Sequence, residues 1–290
     1  MNHNGFLNID KPLAMTSHDV VARVRRLVGR KVKVGHAGTL DPAASGVLPV
    51  AIGHATRLIE YMAEVRKGYQ GLVQLGQTTT TDDAEGEVLT TAPVPAYTPA
   101  QIETVLAALR GTIMQVPPMY SALHHEGQRL YDLARAGKVL DLPARPVEID
   151  ALSAEQVAHD QLLITVTCGK GTYIRALARD IGAALGCGAH LASLRRTFVG
   201  AFSLESAIPL ADLNPEDVAT HLIPARIALA DWPLAQLDAE QVRRVGHGMP
   251  VDLGDLAGTY ARAEDEHGAL VAVLRREGDV WQPEKVLGHL

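Results

Sequence analysis

Apolar and polar positions fall in short blocks whose period changes along the chain, and each change marks an element. Gly5-Phe6-Leu7-Asn8-Ile9-Asp10 reads as a short strand stopped by Lys11-Pro12. Ser17 can then cap a helix with Val20, Val21, Val24, Leu27 and Val28 on one face, while Arg23, Arg25, Arg26, Arg30, Lys31 and Lys33 gather around its other side and end. Val47 to Ile52 is a continuous apolar run and predicts a buried strand; Ala55 to Ala63 predicts a short helix. From Lys67 to Gly76 the two-residue period puts Tyr69, Gly71, Val73 and Leu75 on one strand face. Thr98-Pro99-Ala100-Gln101 is a capping box with proline at the first helical position, and Gly111 closes that helix. Pro146 to Ala158 and Leu162 to Cys168 alternate as two paired strands, followed by a helix from Ala176 to Leu185 that ends at Gly186. Glu205 to Leu234 is rich in Pro and Ala and predicts a helical connection to a separate tail. That tail holds a helix with Arg243-Arg244 and short strands such as Leu270 to Leu274.

A length of 290 residues suits one large domain plus a small one, and 47% hydrophobic with 21% charged residues is ordinary for a globular protein. The boundary is expected between a domain over 1–230 and a β-rich domain over 235–290. Cys168 and Cys187 form no CxxC, zinc spacing or disulfide framework, which points to a reducing cytoplasm. Residues 1 to 6 show neither a basic leader nor an apolar core, and no run approaches a membrane span. The net charge of −6 hides an asymmetry, because residues 1–70 carry ten Lys/Arg against five Asp/Glu. Between Cys168 and Thr197 five Lys/Arg stand against one Asp, a second basic patch, whereas from 231 onward six face eleven acids. Nucleic-acid binding needs a local basic face, not a basic total, so both patches are candidates for phosphate contacts.

The densest stretch is Gly35-His36-Ala37-Gly38-Thr39-Leu40-Asp41-Pro42-Ala43-Ala44-Ser45-Gly46-Val47-Leu48-Pro49. Its glycines permit positive φ or close approach, its prolines stiffen the exit, and Asp41 is held near the rim of a shaped loop. Asp-Pro is also a common turn starter, so spacing alone leaves an ordinary loop as the competing reading. The stretch closely resembles the G-H-x-G-x-L-D-P-x-A-x-G-x-L-P signature of the TruB family of pseudouridine synthases, which act on uridine 55 in the T loop of tRNA. Further blocks match the same family. Asp10-Lys11-Pro12 with Met15-Thr16-Ser17 resembles its opening, with Ala14 where glycine is usual; Lys67-x-Tyr69 leads to Leu75-Gly76-Gln77 and Thr81-Asp82-Asp83-Ala84-Glu85-Gly86, with Thr80 where many members have aspartate. Gln115 to Ala122 with Gly127 to Gly137 is read as scaffold and pocket wall. Gly171-Thr172-Tyr173-Ile174-Arg175 and His190-Leu191-x-x-Leu194-Arg195-Arg196-Thr197 complete the set.

The resemblance implies an α/β (α+β) fold: a catalytic domain on a mixed, largely antiparallel sheet flanked by helices, plus a small PUA-like RNA-binding tail. It implies that Asp41 is the catalytic carboxylate, Arg175 its partner, Tyr69 the ring that stacks on the target base, Tyr173 a wall of the uracil pocket and Leu194 its lid. His36 is expected to contact the RNA where the flipped residue leaves its place. Lys11, Arg25, Arg26, Lys31, Lys33, Arg195 and Arg196 are the RNA-binding candidates. Converting uridine to pseudouridine oxidises and hydrolyses nothing, so the expected isomerase uses no cofactor and no metal. Its partner is the T stem-loop of tRNA, with no membrane involvement, and it is expected to act as a monomer. Two other readings stay open: an RNA-folding factor that grips the T loop, and a guide-dependent rRNA pseudouridine synthase.

Overall fold

The strands marked by the apolar runs assemble into one sheet of ten. A computed structural model describes residues 4–119, 124, 125, 128, 129 and 142–287. The first half contains β1 (Gly5–Lys11), α1 (Ser17–Val28), β2 (Val34–His36), β3 (Ala44–Ile52), β4 (Lys67–Leu75), the hairpin β5 (Gln77–Thr79) and β6 (Val88–Thr91), α2 (Pro99–Ala108), β7 (Gly111–Gln115) and the two-residue pair β8 (His124–His125) and β9 (Gln128–Arg129). The second half contains β10 (Arg145–Ala158), β11 (Gln161–Cys168), α3 (Ile174–Leu185), β12 (Ala189–Val199), β13 (Phe202–Ser203), β14 (Ile208–Pro209), β15 (Leu234–Gln236), α4 (Ala239–Gly246), β16 (Tyr260–Glu264), β17 (Leu270–Glu277) and β18 (Val280–Val286).

Across the large sheet the order is β14-β1-β3-β12-β4-β11-β10-β7, with β2 beside β3 and β13 beside β12. β1 with β14 and β3 with β12 are parallel, and the other pairings are antiparallel. This is the mixed, largely antiparallel sheet that was expected. Val20, Val21 and Val24 of α1 pack on Leu7, Ile9, Leu48 and Val50. Ile174, Leu177 and Ile181 of α3 pack with α2 on Val73, Leu152 and Ile164. Cys168 and Cys187 are free and buried, and burial pushes the Cys168 thiol up to about 11.

The tail has its own sheet, β15-β16-β17-β18, closed around fully buried Trp281 with Val245 of α4. It also packs on the large body: Val273 shares a core with Phe6, Met62 and Leu229, and Lys285 Nζ lies 2.9 Å from Glu60. Among the described residues no helix is long and apolar enough to cross a membrane.

Three local expectations are corrected. Thr16, not Ser17, caps α1, through a reciprocal box with Asp19, and the Ser17 hydroxyl is used elsewhere. Residues 53–63 form two 3-10 turns, not an α-helix. The connection before the tail also lacks an α-helix: besides β14 it holds 3-10 turns at Leu204–Ser206, Leu210–Asp212 and Ala225–Leu229, because Pro209, Pro215, Pro224 and Pro233 repeatedly remove the donors an α-helix needs. The matches at Tyr120–Ala122, Gly127 and Leu130–Gly137 lie outside the described residues.

Candidate active site

The loop from Ala37 to Ala43 leaves the end of β2 and returns as β3, and it is pinned at nearly every residue. Ala37 N donates to Pro49 O at 2.9 Å, and Ala44 N to Asp41 O at 3.0 Å. The Ser17 hydroxyl accepts from Leu40 N at 2.9 Å and donates to Leu40 O at 3.0 Å, which ties the first turn of α1 to the residue before Asp41. From the other side Ala14 N donates to Pro42 O at 2.9 Å.

Arg196 completes the clamp. β3 is bordered on one edge by β12 at Ala44–Gly46 and by β2 at Val50–Ile52, so Val47 between them has no strand partner there. The Arg196 side chain fills that gap: Nε donates to Val47 O at 2.7 Å, Nη2 to Gly38 O at 3.1 Å and Nη1 to Thr39 O at 3.3 Å. Gly46, at φ +106, is obligatory here, since a Cβ would lie 2.2 Å from Arg196 O.

Asp41 emerges from this rigid loop half-exposed, at 50%. Arg175, in the first turn of α3, reaches its Oδ2 at 3.1 Å. The same guanidinium meets Asp83 at 3.3 Å and donates to Thr81 O at 3.3 Å. One turn further along α3, Arg179 pairs with Asp82 at 2.8 Å and Asp180 at 3.0 Å and donates to Val116 O at 2.9 Å. Asp82 holds a positive φ of 60, and the loop is stitched to β12 by Leu191 N to Asp82 O and Ala84 N to Leu191 O, both 3.0 Å. Burial raises the Asp82 carboxyl above its ordinary value, opposed by Arg179 and then Arg175. Arg179 was not singled out in the sequence, and Asp82 and Asp83 appeared only as part of a matching block; the i, i+4 arginines opposite adjacent aspartates were the available signal.

Asp41, Arg175 and Leu194 line one solvent-open cleft, together with Ala43, Ala44, Asp83 and Leu191. Its walls are mostly apolar, with Glu85 and Ser193 standing beside the ion pairs. Tyr69 is nearly buried on β4 opposite Arg196. Burial raises its hydroxyl pKa, with Arg196 pulling the other way and the charge of Asp41 adding to the rise. Tyr173 sits half-buried at the N-cap of α3, where the Gln115 amide grips its backbone: Tyr173 N donates to Oε1 at 2.9 Å, and Nε2 donates to Tyr173 O at 3.2 Å. His36 ends β2, its ring edge-on to His18 with centroids 5.3 Å apart. Its buried Nδ1 has no hydrogen-bond partner, and burial, followed by His18, lowers its pKa, so the ring is neutral at pH 7.

The RNA-binding candidates divide sharply. Lys31 and Lys33 are exposed, as are Arg25 and Arg26, which lean on Val34 O and Ala22 O. Lys11 and Arg196 are corrected: at 0% and 1% exposure neither can touch a phosphate, and both are consumed by carbonyls inside the protein. Arg195 is half-exposed and paired with Asp10 at 2.7 Å. No group of three or more His, Cys, Asp or Glu among the described residues is arranged to hold a metal.

Comparison with known proteins gives three family matches in succession. Residues 25–174 match the N-terminal domain of TruB family pseudouridylate synthases, 175–225 the tRNA pseudouridylate synthase B C-terminal domain, and 232–288 the tRNA pseudouridine synthase II C-terminal model. The chain is 45% identical to tRNA pseudouridine synthase B of Gloeobacter violaceus, covering 99% of both chains. It is 42% identical to the enzyme of that name from Syntrophomonas wolfei, covering 98% of both. Among solved structures it resembles a chain of a Cbf5-Nop10-Gar1 complex, with TM-score 0.77, 28% identity, and 99% of this chain and 85% of that one covered. A chain of an H/ACA RNP bound to a substrate RNA containing 2'-deoxyuridine gives TM-score 0.76 at 26% identity, covering 98% of this chain and 85% of that one.

Proposed function

Because this chain belongs to the TruB family of pseudouridine synthases and isomerises uridine in tRNA, we propose that its target is uridine 55 of the T loop and that Asp41 is the catalytic carboxylate. The reaction breaks the bond from ribose to a ring nitrogen, turns the uracil and rejoins it through carbon. One ionised carboxylate is enough to act as nucleophile or base. The carrying observation is the Asp41–Arg175 pair at 3.1 Å on the rim of an apolar cleft. Once a base covers Asp41 its charge loses solvent, and the fixed, always-protonated fork of Arg175 offsets that cost.

The target must leave its stack, at a cost of a few kcal/mol, and stacking on one aromatic ring returns about 1–3 kcal/mol. Tyr69 is that ring in this reading. Tyr173 walls the uracil, Leu194 closes over it to exclude water, and neutral His36 takes the space the nucleotide leaves. The phosphates lie along the exposed cations Arg25, Arg26, Lys31 and Lys33. Residues 235–290, with their own sheet and core, serve as a PUA-like accessory module joined to a catalytic domain over 1–230. The enzyme works as a monomer in the cytoplasm.

The test is tritium release from a bare T-arm transcript labelled at the uracil carbon that becomes bonded to ribose, with no guide RNA or other protein. Release by the wild type and none by Asp41→Asn, which still binds the RNA, is the expected result. A strict need for a guide favours the H/ACA-type reading, and turnover by Asp41→Asn removes Asp41 from the chemistry.

A further inference from the structure

The turn Pro12–Met15 joins β1 to α1, and the protein invests unusually in holding it. Beneath it, the fully buried Lys11 ammonium donates to Pro12 O at 2.9 Å and to Met15 O at 2.7 Å. Burying an ammonium is costly unless its protons are used, so here it acts as an internal strut for four residues. Ala14 holds φ +61, a left-handed conformation that costs an alanine about 1 kcal/mol or more. Its N–H is spent on Pro42 O at 2.9 Å, which fixes the turn against the residue after Asp41. Beyond the turn, Met15 packs into the core under α1, and the Thr16 capping box starts the helix at once. The tip therefore cannot fold back, and it carries Leu13 into solvent at 60% exposure.

A single exposed leucine is unremarkable on most surfaces. This one stands on a braced turn that touches the loop of Asp41. We propose that Leu13 is an RNA-contacting residue, an apolar wedge that covers the nucleobase face uncovered beside the target uridine when that uridine flips out. The inference rests on the RNA reading given above and adds a residue to it. His36 leads into the loop of Asp41, and the turn that carries Leu13 is hydrogen-bonded through Ala14 N to Pro42, the residue after Asp41. One fills the vacated position and the other caps the neighbouring base. Apolar side chains lodged against base steps are an established means of holding a distorted nucleic acid. The geometry also gives a path for the strand, since α1 runs about 18 Å from this turn to the exposed cations at its far end.

The experiment compares full-length wild type, Leu13→Ser and Leu13→Met on a T-arm RNA with 2-aminopurine next to the target uridine, following steady-state turnover, fluorescence on binding and thermal unfolding. Leu13→Ser should raise KM about tenfold, the loss expected when a leucine that becomes covered on binding is made polar, and should lower kcat by less. It should blunt the 2-aminopurine response while leaving the melting temperature in place, and Leu13→Met should recover both binding readouts. Wild-type KM and fluorescence in Leu13→Ser overturn the proposal, as does a KM rise that appears only with a fall in melting temperature. Failure of the wild type to isomerise the RNA would instead strike the functional reading, so the two failures are distinguishable.

Discussion

Two stretches of this chain carry similar excesses of positive charge and use them in opposite ways. Around the end of α1, Arg23, Arg25, Arg26, Arg30, Lys31 and Lys33 have no carboxylate of the described residues within salt-bridge distance. Between 170 and 196 every cation is engaged: Lys170 with Glu64, Arg175 with Asp41 and Asp83, Arg179 with Asp82 and Asp180, Arg195 with Asp10, and Arg196 with three carbonyls. Counting charge along the sequence makes both stretches look like RNA faces. The fold leaves the first open and turns the second into the frame of the candidate site, because α3 and β12 point their arginines mainly at acids and carbonyls of other segments.

The contrast is tested most severely at Arg175. Arg175→Leu leaves Asp41 and Asp83 without their shared cation and should slow isomerisation about 1,000-fold or more in single-turnover assays, with RNA affinity changed only a few-fold. Next, Arg196→Met strips the carbonyls of Gly38, Thr39 and Val47 of their donor and should cost about 3 kcal/mol in urea unfolding, whereas Lys31→Gln should stay within about 0.5 kcal/mol. A combined Arg30→Gln, Lys31→Gln, Lys33→Gln variant should weaken RNA binding and flatten its log K against log salt slope by about one for each phosphate that is no longer neutralised. An equal flattening by Lys170→Gln would break the distinction. The smallest effect concerns pH. Asp82 has a raised pKa, so between the unfolded value of 3.8 and the folded one the native state holds more protons, and stability falls as pH rises through that window. Arg179→Leu removes the main opposing charge and extends the window upward, so its deficit in melting temperature should grow from about pH 4 toward neutrality.

The loop of Asp41, the strand of Tyr69 and the start of α3 were legible because their information is local: glycines, prolines and a two-residue period within a few positions of the functional group. Arg196 was misjudged because its burial depends on a gap along β3 between two strands distant in sequence. Alternation along β12 was the available hint, since consecutive arginines on a strand point to opposite faces. Lys11 was misread for a related reason, as nothing local distinguishes a strut from a surface lysine. The helical connection failed because composition was weighed above the spacing of its prolines. The Thr16–Asp19 box could be read directly, but the true partner of Ser17 lies 23 positions away.

That hydroxyl, donating to and accepting from the same residue, removes the slack between a helix and a loop. On the proposed reading, a phosphate held by the arginines of α1 pulls on a lever whose other end is Leu40, one peptide from the carboxylate. On that reading, grip on the nucleic acid and aim of the Asp41 carboxylate are mechanically one property, and loosening the serine should uncouple them while leaving each in place.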